Sequence, residues 1–246
     1  MSSSERADVV VVGGGVVGSS IAWQLADRGA GAVWVLDVDL EGGYSSSERN
    51  AGGVRATWWQ RENIELALAS IEYYEQIARE VGFLQRGYLW LYGADFWEEA
   101  KRHVALQNGF GLGVQTLTPR EVRDRFPLID RSEGILGATF SPRDGLINPN
   151  LLKQHYRERA RALGVRFMNR HFVVGIEEEK DRVRVSASDF GYGGPRSEQE
   201  DLERVLTTYS LHIPSRARAY EAARVVNAAG AWAPQIAALY GGSVPA

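Results

Sequence analysis

The residues best placed by type and spacing to do chemistry are Gly13, Gly15 and Gly18, with Asp37 nineteen positions beyond the last of them. A Gly-x-Gly-x-x-Gly run suits a dinucleotide diphosphate. Gly13 permits a tight turn, Gly15 lets backbone approach a pyrophosphate, and Gly18 lets a helix pack close on a strand. The first-turn amides of that helix, Val16, Val17 and Gly18, together with the positive end of its dipole, would face the phosphates. Asp37 stands where a ribose-hydroxyl acceptor belongs, the expected offset being about 20 residues.

The flanking elements suit this chemistry. Val9-Val10-Val11-Val12 is a run of β-branched residues that predicts a strand buried on both faces, as in a parallel sheet. A helix over about 16–28 follows, then a Gly29-Ala30-Gly31 break and a second strand, Ala32 to Leu36. An ordinary Gly-rich βα turn is the alternative; the agreement of motif, flanking elements and acid disfavours it.

Two other stretches have residue types that could meet a ligand. Val38 to Arg55 has no helical or strand period and holds Ser45, Ser46, Ser47, Arg49, Asn50, Ala51, Gly52 and Gly53. It is either a surface loop or one laid along a cofactor, and its place just after Asp37 favours the second. Ala223 to Asn227 predicts a buried strand leading into Ala228-Ala229-Gly230-Ala231-Trp232 and a helix. Small residues at such a strand end allow a second close approach of backbone to ligand, or simply a tight packing turn.

The remaining chain reads as scaffold. Apolar spacing predicts one long amphipathic helix over 61–81. Gly87 to Gly93 is a strand whose aromatics could line a pocket or pack in a sheet. A helix capped by Asp95 runs to Asn108, and Thr118-Pro119-Arg120-Glu121 is a capping box opening a helix that stops before Phe126. A strand over 134–140, a turn over 141–145 and a helix from Asn148-Pro149 to about Leu163 precede strands at 165–168, 172–177 and 182–187. Residues 189–203 read as an exposed loop and 205–213 as a returning hairpin strand.

Composition limits the function classes. The chain has 246 residues, 44% hydrophobic and 24% charged, with a formal net charge of −3. These values fit a globular protein and give no reason to expect a nucleic-acid or anionic-membrane partner. There is no Cys, which excludes disulfides, Fe–S clusters and thiolate zinc sites within it. The four His residues lack metal-ligand spacing, so no metal is expected, and His171 beside a strand reads as structural. No apolar run approaches the ~18–20 residues of a membrane span, and no signal peptide is visible.

The order of these parts resembles the D-amino-acid-oxidase-like, or glycine/sarcosine-oxidase-like, family of FAD-dependent oxidoreductases. The matching pieces are Val9 to Gly18, Asp37, Arg49-Asn50-Ala51-Gly52-Gly53-Val54-Arg55, Gly87-Tyr88-Leu89, Leu117-Thr118-Pro119 with Phe126-Pro127, Asp144-Gly145 with Asn148-Pro149, and Asn227 to Trp232. Within the family, Glu62-Asn63-Ile64, the 180–222 excursion and Gln235 to Leu239 are most similar to the mitochondrial flavoproteins associated with respiratory complex I assembly.

The resemblance implies an α/β fold: a Rossmann-like FAD-binding domain over 1–86 and 148–246, interleaved with an α+β substrate-domain segment over 87–147. It implies FAD rather than NAD. Gly13, Gly15, Val16, Val17 and Gly18 would hold the diphosphate and Asp37 the ribose. Ser45, Ser46, Ser47, Arg49, Asn50, Ala51, Gly52 and Gly53 would run past the diphosphate and flavin. Val173 backbone would meet the adenine, while Ala228, Ala229, Gly230 and Trp232 would close over the ribose and diphosphate. Arg55 is the catalytic candidate: it either orients a substrate carboxylate through a bidentate pair or ties down the loop.

The implied activity is oxidation of the C–N bond of a small amino-acid-like substrate by hydride transfer to flavin. The alternative is a non-catalytic flavoprotein or assembly factor working on respiratory complex I. An NAD(P)-dependent reductase is disfavoured by the loop after Asp37 and by Ala228-Ala229-Gly230. Family members continue past Ala246, so this chain is expected to be a fragment, to be completed by a second chain, or to be a shortened form without catalysis. The expected location is the mitochondrial matrix on the closer resemblance, and otherwise the cytoplasm.

Overall fold

The computed structural model describes residues 5–41, 45–129, 131, 133–189 and 217–243. Packing divides the chain into two compact units, Met1–Arg49 with Lys153–Ala246, and Asn50–Leu152. The seam expected at 86/87 therefore falls at 49/50. The reason is local pairing: Gly53 and Val54 pair with Leu146 and Gly145, and Leu84 bridges to Leu146, so residues 50–86 pack with 87–147.

The first unit is built on a six-stranded sheet. It contains β1 (Glu5–Val12), α1 (Val16–Asp27), β2 (Val33–Leu36) and α2 (Ser46–Arg49). After the second unit's residues come α7 (Pro149–Ala162, in which the division falls), β8 (Arg166–Met168), β9 (His171–Glu179), β10 (Arg182–Asp189) and β11 (Ala217–Asn227). A 3₁₀ turn, Gly230–Trp232, leads into α8 (Ala233–Leu239). The strand order is β8-β2-β1-β11-β10-β9. The first four run parallel, and β10 and β9 are antiparallel to their neighbours.

The valine run behaves as a doubly covered strand must. Val9 and Val11 pack with Ala22 of α1 and Ala160 of α7 on one face. Val10 and Val12 pack with Val173, Val185, Tyr220 and Ile236 on the other. His171 is buried, with one ring nitrogen 2.7 Å from the Asn169 carbonyl and the other 2.6 Å from the Tyr220 hydroxyl. It ties β9 to β11. The expected loop at 189–203 and strand at 205–213 lie outside the described residues, apart from Asp189, which ends β10.

The second unit holds β3 (Gly53–Val54), α3 (Arg61–Gln76), α4 (Ala78–Val81), β4 (Tyr88–Tyr92), α5 (Ala94–Gly109), β5 (Gln115–Leu117), α6 (Pro119–Arg125), β6 (Gly137–Ser141) and β7 (Gly145–Leu146). Its three-stranded sheet runs β4-β6-β5, antiparallel throughout. Leu89, Leu117, Val122, Ala138 and Phe140 cluster on it.

Three local expectations change. The helix expected over 61–81 is two helices, broken at Ile77, whose φ of −112° and ψ of 20° leave the helical region. Ile77 and Val81 stay buried, so the apolar spacing continues across the break and hides it. Asp95 does not cap α5: Gly93 holds that position, and Asp95 lies in the first turn, where its charge suits the dipole. The 38–55 loop, expected to lack secondary structure, carries α2 and β3. The Thr118–Glu121 capping box is present as expected. Among the described residues no helix is long and apolar enough to cross a membrane.

Candidate functional site

In the first unit, the sequence-selected residues gather where the parallel strands end. β1 runs into Gly13, β2 into Asp37 and β11 into Ala228, and strand pairing sets Val12 beside both Leu36 and Asn227. Open α/β sheets bind ligands at their carboxyl ends, where neighbouring connections diverge. Here β1 is that place, with β2 on one side and β11 on the other.

Gly13 and Gly18 are fixed by backbone contact. A Cβ on Gly18 would overlap the Gly13 carbonyl oxygen, and one on Gly13, at φ 101°, would overlap the Ala228 carbonyl. The Ala228 amide in turn donates to the Val12 carbonyl at 2.8 Å. The two small-residue turns, expected separately from sequence, thus meet. Gly15 differs: its backbone is ordinary (φ −64°, ψ −172°), and a Cβ there would meet the Ser47 Oγ at 3.2 Å and the Ser45 Oγ at 3.9 Å. Those two hydroxyls stand beside the helix start. The Val16 amide donates to Ser47 Oγ at 2.9 Å, so this amide is already engaged by a hydroxyl. First-turn amides beyond it have no intrahelical acceptor by the geometry of a helix start.

Asp37 is half-buried and accepts from the Gly14 amide through Oδ2 and from the Asp39 amide through Oδ1, the latter at 2.8 Å. Burial pushes its carboxyl above the ordinary range, while those two amides act the other way. A carboxylate offers about four acceptor sites, so two remain for a diol. Its backbone is locked as well: Asp37 donates to Met168 and accepts from the His171 amide at 2.9 Å.

The loop beyond Asp37 is held by groups the sequence reading missed. The Arg157 guanidinium donates to the Leu40 carbonyl at 2.8 Å and to Glu41 at 2.7 Å. Lys153, one turn earlier on α7, forms an ion pair with Glu48. Glu48 accepts from the Ser45 hydroxyl, and Ser45 Oγ accepts from the Ser47 amide at 3.2 Å. Ser45-Ser46-Ser47-Glu48 has capping-box spacing, a signal available in the sequence. The role of Lys153 and Arg157 was not available there, because nothing local marks a partner over 100 residues away.

Val173 lies on β9, opposite Ala187, with its side chain in the core. Trp232 ends the 3₁₀ turn and donates its amide to the Ala229 carbonyl at 3.0 Å, and Gly230 has φ 55°. Ser46 and Arg49 are exposed on α2.

In the second unit, Asn50 Oδ1 accepts from the Gly52 amide at 2.7 Å, next to exposed Ala51. Gly52 (φ 74°) and Gly53 have structural reasons of their own: a Cβ would overlap the Ile147 carbonyl and the Tyr88 hydroxyl respectively. Arg55 lies against two indoles, its guanidinium carbon 4.9 Å from the ring centres of Trp58 and of Trp90. The Trp58 Nε1 donates to the Arg55 carbonyl at 3.1 Å, and the Trp90 Nε1 to Thr57 Oγ1 at 3.3 Å. Asp144, fully buried, accepts from the Ala56 amide and the Thr57 hydroxyl, both at 2.9 Å. Burial raises its pKa, against those bonds and the charge of Arg55.

These features define a dinucleotide-binding α/β fold with an interleaved second unit. Residues 8–245 match the DAO family, described as FAD dependent oxidoreductase. The chain belongs to that family, and FAD is the cofactor the family implies. The chain is 30% identical to FAD-dependent oxidoreductase domain-containing protein 1 of Bos taurus over 96% of its own length and 50% of that protein's. It is 26% identical to the mitochondrial sarcosine dehydrogenase of Mus musculus, over 97% of this chain and 24% of that one. Among solved structures, L-proline dehydrogenase from P. horikoshii superposes with a TM-score of 0.76 at 27% identity, covering 97% of this chain and 56% of that one. The chain therefore spans about half the length of the first of these relatives.

The residues fit the adenosine-diphosphate half of FAD. The glycines bring backbone up to the strand ends, hydroxyls flank Gly15, and the Asp37 carboxyl would offer its remaining acceptor sites to a diol.

Proposed function

We propose that this chain holds FAD for the oxidation of the C–N bond of a small amino acid, with Arg55 orienting the substrate carboxylate. The observation that carries the amino-acid part is the state of Arg55. Two indole faces fix its guanidinium, and among the described residues no group accepts a hydrogen bond from it. A planar fork held this way is preorganised for a bidentate carboxylate. It also loses less side-chain entropy on binding than a free arginine would. Gly13, Gly15 and Gly18 with Ser45, Ser47 and Asp37 would hold the cofactor's diphosphate and ribose. When bound, FAD supplies the acceptor for the two electrons and hydrogen leaving the α-carbon. Water then hydrolyses the resulting imine.

The test is anaerobic mixing of the flavin-loaded chain with sarcosine, glycine, proline and D-amino acids. Bleaching of the flavin absorbance by at least one of them is expected. A flavin that stays oxidised with all of them would remove the enzyme reading for this chain. The same titration with Arg55→Lys separates carboxylate binding from chemistry: the apparent KM should rise about tenfold or more with loss of the bidentate pair.

A second reading is a non-catalytic flavoprotein acting in a larger assembly such as respiratory complex I, in the mitochondrial matrix. It is supported by the 30% identity to FAD-dependent oxidoreductase domain-containing protein 1 and by the mitochondrial location in the names of two dehydrogenase relatives. Co-purification with respiratory subunits under conditions where the flavin is not reduced would favour it. A clean monomer would count against it.

A further inference from the structure

Two cations of α7, Lys153 and Arg157, lie under the loop that follows Asp37, with side chains only 9% and 6% exposed. They are one helical turn apart and touch the same carbonyl, that of Leu40, at 3.4 and 2.8 Å. Their carboxylate partners differ in a way that matters. Arg157 pairs with Glu41, which is 73% exposed and, among the described residues, holds no other side chain in place. Lys153 pairs with Glu48, which is 12% exposed and also accepts the Ser45 hydroxyl.

From Glu48 the contacts run inward: Ser45 Oγ accepts the Ser47 amide at 3.2 Å, and Ser47 Oγ accepts the Val16 amide at 2.9 Å. The last of these is the first residue of α1. An ion pair on α7 is thereby connected, bond by bond, to the hydroxyls beside Gly15.

The charge balance needs Lys153. Glu48 places a largely buried carboxylate in the segment expected to receive a doubly charged diphosphate. Charges a few ångströms apart and removed from water are weakly screened. An unpaired carboxylate here would repel the diphosphate and would turn to a new partner, releasing Ser45. Paired with Lys153 it does neither.

We propose that Lys153 is a positioning residue for FAD: its ion pair with Glu48 neutralises that carboxylate and fixes the Ser45 and Ser47 hydroxyls in the arrangement that meets the diphosphate. The proposal rests on the FAD-binding reading above. Arg157 is the internal comparison, since it braces the same loop without reaching the hydroxyls.

The experiment is titration of FAD into the flavin-free 246-residue chain, followed by flavin fluorescence, with the melting temperature of the flavin-free protein measured alongside. Lys153→Met should raise the Kd at least about tenfold. Glu48→Gln keeps an acceptor for Ser45 without the charge and is measured as the background against which the pair is read. The double variant Lys153→Met/Glu48→Gln should recover most of the lost affinity. A purely structural latch would show no such rescue. A Kd for Lys153→Met equal to that of the parent, or a double variant no tighter than Lys153→Met, overturns the proposal.

Should Lys153→Met not fold, Lys153→Gln decides, because it keeps a polar group beside Glu48 while removing the charge that neutralises it. About tenfold weaker binding supports the proposal, and unchanged binding overturns it. If the parent chain takes up no FAD, the FAD-binding reading of this chain fails and the proposal falls with it. If the parent binds and the variants bind equally, only the role of Lys153 fails.

Discussion

The turn at the end of β1 and the arginine in the second unit are built from different materials. The first is backbone: Gly13, Gly15 and Gly18, with carbonyls of Gly13 and Ala228 filling the places where side chains would be. The second is side chains: Arg55 against Trp58 and Trp90, beside a loop pinned by Asp144. A backbone site needs the same few glycines at the same offsets wherever it occurs. A side-chain site can draw its parts from any elements that happen to pack together. The contrast makes a demand on mutants: the first site should fail sterically, the second electrostatically and by degrees.

The largest expected effect is at Gly18. Even alanine puts a Cβ onto the Gly13 carbonyl oxygen, and backbone on both sides leaves little room to relax. Gly18→Ala should destabilise the flavin-free chain by about 3 kcal/mol, read from denaturant unfolding. A loss below about 0.5 kcal/mol would mean that the turn is not set by backbone contact, and the contrast with the second unit would collapse.

Asp144→Asn comes next and tests the other side. The fully buried carboxylate accepts from Ala56 and Thr57, and an amide can satisfy only one of these donors. About 2 kcal/mol should be lost. The pH dependence has a definite sign. Burial raises this pKa above its ordinary 3.8, so the folded state binds the proton more tightly than the unfolded state does. The resulting stabilisation is fully present below 3.8 and is lost as pH rises through the raised folded value. Melting curves across that range should therefore show the gap between parent and variant widest in acid and narrowing as pH rises. A gap that widens with pH would contradict the burial of this group.

How much could be read from the sequence follows the same line. β1, α1, β2 and Asp37 lie within one short segment, and each leaves a local mark: a valine run, spaced glycines, an acid at a fixed offset. The approach of Gly13 to Ala228 was half legible, since both turns had small residues but nothing in the spacing joined them. Lys153 and Arg157 left no mark, because their partners lie far away in sequence and a charged residue in an amphipathic helix is unremarkable; Asp144 stood out only as part of a turn and of the family resemblance, with nothing to show its bonds to Ala56 and Thr57. The break at Ile77 was invisible for the opposite reason: the apolar period is correct on both sides of it.

Gly15→Ala should separate binding from folding inside the first site. Gly15 has a φ that any residue adopts, and a Cβ would press on Ser47 Oγ at 3.2 Å, which can give by a few tenths of an ångström. The melting temperature of the flavin-free chain should stay close to the parent's. The Kd for FAD should rise about tenfold, about 1.4 kcal/mol, because the methyl occupies the approach to the hydroxyls. Equal damage to folding by Gly15→Ala and Gly18→Ala would show that the turn is one packing unit, with no ligand-facing member.

The smallest effect is expected at Trp58, and it is the most selective. Trp58→Phe keeps an aromatic face for Arg55 but removes the indole donor to the Arg55 carbonyl at 3.1 Å and the stronger of the two ring types. The site is partly open to solvent, so a cation–π contact there contributes about 0.5–1 kcal/mol. Trp90 keeps its own contact with the guanidinium. Affinity for a simple carboxylate such as glycine, followed by tryptophan fluorescence, should fall about threefold, with stability and FAD uptake unchanged. A fall as large as that of Arg55→Lys would mean that the indoles, rather than the guanidinium, make the carboxylate site. No fall at all would mean that Trp90 alone fixes the arginine, and the second site would then be as rigid, and as dependent on a single neighbour, as the glycine turn it was contrasted with.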